Sequence, residues 1–392
     1  MNCRFDTVID RKGTNSVKYD FAKERGKKED ALPLWVADMD FQAPEAVSQA
    51  LAAAVQHGVF GYSNTKEEYF NAVHQWYLQR FGWDTQRNWL VKTPGVVYAI
   101  STAIRALTQK GDAVLIQRPV YYPFSESILK NERVLINSPL VYSDGKYSMD
   151  FKDFEEKIVQ NHVKLFILCS PHNPVGRVWT KDELIRVGDI CLKHGVLVVS
   201  DEIHADFVYP GNKHLVFAGL KPEFAQFTIT CTAPSKTFNL AGLQTSNIFI
   251  TNEKIRRLFQ AEIRRSGYDE PNAMGIIACQ AAYEHGGEWL DELKAYLLGN
   301  VEYLRGFLQS RVPQVKLVEP QGTYLVWLDF RALGLSDREL DELVSDRAGL
   351  WLDDGTMFGP EGTGFQRVNI ACPRSTLEQA LERLEAAVKA LD

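Results

Sequence analysis

The sequence predicts an α/β chain, a mostly parallel sheet covered by helices, joined to a smaller α+β unit. Three observations carry this expectation. Between residues 113 and 232 the apolar runs AVLIQ, VLINSPL, KLFILCS, VLVVSDE and FTITCT have strand length and read as strands. Helical patterns alternate with them, the order that produces parallel strands buried on both faces. At 392 residues the chain is also longer than one core usually serves, and from about residue 290 its character changes.

The elements follow in order. Residues 1–45 open polar and charged and then turn apolar in LPLWVADMDF. Pro44 followed by EAVSQALAAAVQHG predicts a helix with proline at its start and Gly58 at its end. GVVYAISTAIRALTQKG predicts a second helix, stopped at Gly111. TKDELIRVGDICLKHG predicts a third, with Thr180 as N-cap and Glu183 completing a capping box. The long pattern EWLDELKAYLLGNVEYLRGFLQSRV then leads away from the sheet. TYLVWLDF and FQRVNIAC read as strands, with a helix around SDRELDELVSDRAG between them and STLEQALERLEAAVKAL as a last helix. Three stretches result: 1–45 folding back onto the small unit, a large unit over 46–289, and a small unit over 290–392.

Composition narrows the function classes. Net charge is −6, against a nucleic-acid or membrane-surface protein, which would usually show a basic patch. No apolar run reaches membrane-span length, and the first residues lack the apolar core of a signal peptide. The six cysteines, at 3, 169, 191, 231, 279 and 372, include no CxxC pair, and the eight histidines no HExxH. Reduced, buried thiols in a cytoplasmic protein without a metal site are expected.

In parallel sheets ligands bind beyond the carboxyl ends of the strands, so chemistry is sought there. Four segments qualify. In KTPGVVYAISTAI, Gly95 permits close backbone approach and the following helix offers free N–H groups to a phosphate; many glycine-started helices, however, bind nothing. In SPHNPVG, Asn173 can donate to a ligand oxygen, or satisfy its own turn. In VLVVSDEIHADF, Asp201 and Glu202 follow an apolar strand; a buried carboxylate there needs a cationic partner, unless it caps a helix. In CTAPSKTFNLAGL, Lys236 has small and apolar neighbours, which favour a neutral, nucleophilic amine over a surface lysine. A phosphate cradle, an oxygen partner, a carboxylate for a ring nitrogen and a Schiff-base lysine together match the needs of pyridoxal 5′-phosphate (PLP).

From about residue 30 onward the chain resembles the PLP-dependent fold-type I superfamily of class I and II aminotransferases. Within it the likeness is to the cystathionine β-lyase-like C–S lyase branch, the maltose regulon modulator group. LWVADMDF, RPVYYPF, PHNPVGRVWT, SDEIHADFV, SKTFNLAGL, TYLVWLDF and RVNIACPRS carry it, in that order. The resemblance implies that Lys236 binds the cofactor and serves as base at Cα. It implies that Asp201 partners the ring nitrogen, that Asn173 and His204 lie near the 3′ oxygen, and that Tyr121 stacks on the ring. Gly95, Val96 and Ser235 would hold the phosphate, joined by Tyr62 from a second subunit of a homodimer. Arg367 would grip the substrate carboxylate, with Trp35, Ala37 and Asp38 nearby.

Each role has a competitor. Tyr121 and Tyr62 could simply pack, Trp35 could be core, and Arg374 competes with Arg367. Tyr324–Trp327 reads as a structural strand. Many members place a hydroxyl three residues before the lysine and an arginine eight after it; here Ala233 and Gln244 stand there. The phosphate would then lean on backbone N–H groups, on Thr232, Ser235 and Gln244, and on the partner. The implied activity is β-elimination of L-cystathionine or related L-cysteine S-conjugates to a thiol, pyruvate and ammonia, as in sulfur amino acid and methionine metabolism. The alternatives are an aminotransferase of broad or aromatic specificity and a regulatory binding protein on the same fold.

Overall fold

The computed structural model describes residues 4–391. Its centre is a seven-stranded sheet, in the order Leu90–Thr93, Ser246–Phe249, Thr228–Thr232, Leu197–Asp201, Leu165–Cys169, Ala113–Ile116, Val134–Asn137. Five neighbouring strands run parallel, and Ser246–Phe249 is antiparallel to both its neighbours. Every residue of Leu165–Cys169 and of Thr228–Thr232 is buried. That explains why these strands read as continuous apolar or small-residue runs and not as alternating ones.

Helices cover both faces. Val96–Leu107 and Glu253–Arg265 pack on one side, and Phe151–Asn161 and Lys181–His194 on the other. The helix ends follow local chemistry. Gly58 closes Glu45–His57 with φ 73°, a left-handed value that suits glycine. Thr180 and Glu183 form the expected reciprocal box. The second helix ends at Leu107, short of Gly111: the Thr108 hydroxyl donates to the Ile104 carbonyl and Arg133 holds the Thr108 carbonyl, which turns the chain early.

The 25-residue helix Gly287–Arg311 leads to an antiparallel sheet ordered Lys316–Val318, Leu325–Asp329, Phe365–Asn369, Asp353–Asp354. Leu32–Pro33 pairs in parallel with Leu350–Trp351, so the N-terminal stretch lies against this sheet's surroundings. The expected strand VLINSPL stops at Asn137; a hairpin, Val141–Ser143 with Lys146–Ser148, follows after a short connection. The expected helix around 336–349 is a short α-helical turn, Asp337–Asp341, running into a π-helical stretch, Glu342–Arg347. Among the described residues no helix is long and apolar enough to cross a membrane, and no His/Cys/Asp/Glu group is arranged to hold a metal ion. Cys169, Cys191, Cys231, Cys279 and Cys372 are buried free thiols; Cys3 lies outside the described residues.

Candidate active site

Four strand ends meet at one edge of the large sheet. Asp201 is the last residue of its strand, with Cys169 and Cys231 opposite it on the two neighbouring strands. Asn173 lies in the turn after Leu165–Cys169. Lys236 sits in the short helix Pro234–Thr237, directly after Thr228–Thr232. Gly95 caps Val96–Leu107 after Leu90–Thr93, with no side chain capping the helix. Parallel strand order thus brings together four residues spread over more than 140 positions of sequence.

A cavity of about 240 Å³ opens between them. Gly95, Val96, Tyr121, Asn173 and Asp201 line it, as do His204, Ser235, Lys236 and Ala37. Reading the sequence missed Tyr98, Ile203 and Thr245 among its walls. Thr245 follows Gln244, itself in a left-handed turn at φ 49°, and a hydroxyl two residues beyond a glycine-containing turn is a signal too common to have found it. Thr232 is not available: its hydroxyl is buried and donates to the Asn247 carbonyl at 2.7 Å, because its strand is flanked by Ser246–Phe249.

Burial sets the chemistry of this cavity. Desolvation pushes the Asp201 carboxyl up to about 7, against one N–H donor from Ile203 and the nearby Lys236 charge. Desolvation pushes Lys236 down to about 8, opposed by the charge of Asp38. Its Nζ donates to the Ala37 carbonyl at 2.9 Å. His204 is driven to about 3 by burial, so its ring is neutral at physiological pH. Its Nδ1 is buried without a hydrogen-bond partner.

A web of side chains holds the irregular backbone at Ala37 against Lys236. The Tyr324 hydroxyl also donates to the Ala37 carbonyl, at 3.0 Å. The Asn369 amide donates to the carbonyls of Val36 and Asp38. The Asn239 amide holds the carbonyls of Met39 and Phe41. Arg11 pairs with Asp38 and Asp40, and the fully buried Lys18 with Asp40 at 2.7 Å. Tyr324 therefore has a positioning contact beyond the structural strand role expected of it.

Arg367 and Asp353, each only 2% exposed, form a buried ion pair. Arg367 also donates to Asn173 Oδ1 at 3.1 Å and to the Trp35 carbonyl at 2.9 Å. This leaves the Asn173 amide nitrogen to donate elsewhere. Arg374 points to another place: it bonds Asn300 and lies over Tyr303. The Trp35 ring stacks on Trp351 at 4.5 Å and is not a cavity wall; only its carbonyl reaches the Arg367 cluster. Tyr62 is 95% exposed on the chain taken singly and touches no part of the cavity.

The donor set fits PLP. The bare N-terminus of Val96–Leu107 suits a phosphate, and a Cβ at Gly95 would meet no protein atom within 4 Å. Gly95 itself is extended (φ 177°), so neither backbone nor packing demands glycine there. The orphaned His204 Nδ1 and the carboxylate of Asp201 are groups that a polar, cationic ring would partner.

Comparison with known proteins agrees. The model of the family described as aminotransferase class I and II matches residues 29–384. Cystathionine beta-lyase PatB of Bacillus subtilis (strain 168) is 46% identical over 384 residues, covering 98% of this chain and 99% of PatB. Cystalysin from Treponema denticola, which contains PLP, superposes with a TM-score of 0.96 at 40% identity, with both chains covered completely. The PLP-bound C–S lyase from Staphylococcus hominis gives 0.92 at 34%, covering 99% of this chain and 98% of that one.

Proposed function

The chain belongs to the class I and II aminotransferase family, and from that premise we infer that it is a PLP-dependent carbon–sulfur β-lyase. It cleaves L-cystathionine or related L-cysteine S-conjugates to a thiol, pyruvate and ammonia. The end-to-end likeness to a cystathionine beta-lyase and to a C–S lyase is the observation that carries this choice over transamination.

PLP, when bound, supplies a carbonyl for the amino acid's amine and a ring that withdraws electrons from Cα. The chain's own residues do the rest. Gly95, Val96 and Ser235 hold the phosphate, Asn173 and His204 the ring oxygen, and Tyr121 covers the ring face. Asp201 Oδ carries negative charge opposite the ring nitrogen. Arg367 grips the substrate carboxylate, with the Ala37 backbone beside it. Lys236 Nζ, brought down to about 8 by burial and so readily deprotonated, takes the proton from Cα. The thiolate then leaves Cβ, and being a good leaving group it needs little acid assistance.

The working form is a homodimer in the cytoplasm. The loop around Tyr62 exposes Val59 and Phe60 as well, an apolar surface suited to a second copy. Lys92 braces that loop through Asn64 and Thr65. Tyr62 reaches the partner's phosphate, compensating for Ala233 and Gln244. Residues 46–289 act as the cofactor-holding unit, and 290–392 with 1–45 as the smaller one. The test is to supply L-cystathionine and measure pyruvate and free thiol, then an α-keto acid and measure amino transfer. Pyruvate and thiol formation is expected; amino transfer without pyruvate would overturn the lyase assignment.

A further inference from the structure

Arg25 lies on the N-terminal stretch over Trp35, the residue whose carbonyl accepts from Arg367. The turn Lys23–Arg25 is closed by Gly26 in the left-handed region at φ 70°, and the Lys27 N–H bonds back to the Ala22 carbonyl at 2.9 Å. Ala22 is buried with Trp35 and Trp351, so the turn is anchored although Arg25 is solvent-exposed. The Arg25 guanidinium lies 4.9 Å from the Trp35 ring centre, and Trp351 stacks on the same indole. The Trp35 carbonyl accepts from Arg367, which places Arg25 one aromatic layer beyond the grip for the substrate's α-carboxylate.

Tyr122 lies beside Tyr121 of the cavity wall and is packed on Phe358. The charges of Asp353, Arg367, Glu126 and Arg25 all reach its hydroxyl, so Arg25 and Arg367 share one neighbourhood. Two neighbouring cations are occupied: Lys27 pairs with Asp341 and Lys28 with Asp346. Glu126 is paired with Lys130. Among the described residues Arg25 has no carboxylate partner, and its platform orients it.

We propose that Arg25 binds the distal carboxylate of a thioether substrate whose leaving group is itself an amino acid, so that the site prefers such two-carboxylate thioethers to S-alkyl cysteines, which carry one carboxylate. This rests on the β-lyase reading above. An L-cysteine thioether of this kind carries one carboxylate for Arg367 and a second several bonds away beyond sulfur. Arg25 is a cation on that side that the indole orients and that has no carboxylate partner among the described residues. Arginine over an indole keeps its in-plane donors for a carboxylate while its face stays packed.

The test compares kcat/KM for L-cystathionine and S-methyl-L-cysteine in wild-type holoenzyme, Arg25→Met and Arg25→Lys. Arg25→Met should lose roughly tenfold on L-cystathionine, mostly in KM, and stay within twofold on S-methyl-L-cysteine. Arg25→Lys should recover part of the loss, and added salt should shrink the difference. Equal losses on both substrates, or none on L-cystathionine, would overturn the proposal. If wild-type enzyme makes pyruvate from neither substrate, the lyase reading fails instead. Calorimetric binding of L-cystathionine to PLP-loaded Lys236→Ala protein then decides on Arg25 without turnover. Weaker binding on adding Arg25→Met supports the proposal, and unchanged binding overturns it.

Discussion

Removing the carboxylate of Asp201 should stabilise the cofactor-free protein while crippling the enzyme. Asp201 is buried, and desolvation raises its carboxyl from 3.8 to about 7. Between those pH values the folded state holds a proton that the unfolded state has released. Stability contributed by this group therefore falls as pH rises from about 4 to about 7, then levels off. At roughly 1.4 kcal/mol per pH unit the loss amounts to about 4 kcal/mol. Asp201→Asn keeps the shape and cannot ionise. His172 and His204, pushed to about 4 and about 3 by burial, act in the opposite direction, with stability rising from there toward pH 6.5. They are present in both proteins, so the difference between wild type and variant isolates Asp201. Denaturant unfolding of both apo proteins from pH 4 to 8 is the assay. The difference should be flat near pH 4, grow by about 1.4 kcal/mol per unit, and saturate above 7 in favour of the variant. A difference independent of pH would refute the buried, protonated Asp201. Loaded with PLP, Asp201→Asn should lose most of its turnover, since the ring nitrogen has lost its anion; near-normal turnover would remove Asp201 from the mechanism.

Lys236→Ala should abolish the yellow colour of the holoenzyme and the borohydride-stable attachment of cofactor to protein; cofactor still fixed covalently would refute the assignment. Arg367→Ala should raise KM and lower kcat/KM by about 30-fold to several thousandfold, the worth of a desolvated charge pair at about 2–5 kcal/mol. It also leaves Asp353 buried and unpaired, so unfolding should show a loss of about 3–5 kcal/mol that adding Asp353→Asn largely restores without restoring activity. Arg374→Ala, whose partner is Asn300, should leave KM unchanged; the reverse pattern for the two arginines would exchange their roles. Mixed subunits of Lys236→Ala and Tyr62→Phe should regain activity under exchange, because one site in each hybrid is intact; silence despite exchange, or a fully active monomer by sedimentation, would defeat the shared site.

Legibility in the sequence tracked how local each feature is. Asn173, Asp201 and Lys236 stand just beyond continuous apolar runs, so the rule that ligands bind past the carboxyl ends of parallel strands pointed to their meeting. The capping box at Thr180 and the stop at Gly58 are equally local. The hairpin at 141–148 was missed although its signal was present: Asp144 and Gly145 both have positive φ, and Asp-Gly marks such two-residue turns. Other features depend on pairings that no spacing reports. Asp353 faces Arg367 only because their strands are in antiparallel register. Trp35 faces Trp351 only because Leu32–Pro33 adds to Leu350–Trp351. Thr232 looked like a phosphate donor in the sequence and lost that role to a neighbouring strand's carbonyl.

These long-range pairings explain why the N-terminal stretch belongs to the site. Burial lowers the Lys236 amine to about 8 and leaves it with few partners. The Ala37 carbonyl supplies one, but residues 36–41 form no regular element that would hold it in place. Two asparagine amides and the Tyr324 hydroxyl fix that backbone from the large and small units, and Arg11 and Lys18 fix it from the N-terminal stretch through Asp38 and Asp40. Removing one partner of a buried ion pair is strongly destabilising, so such a web tolerates little local displacement. The same stretch carries Arg25 over the Trp35 ring and the Trp35 carbonyl to Arg367. A segment without a catalytic motif of its own thus fixes the carbonyl on which Lys236 Nζ rests, and in the proposed reading it would set where the base sits and meet the substrate's far end.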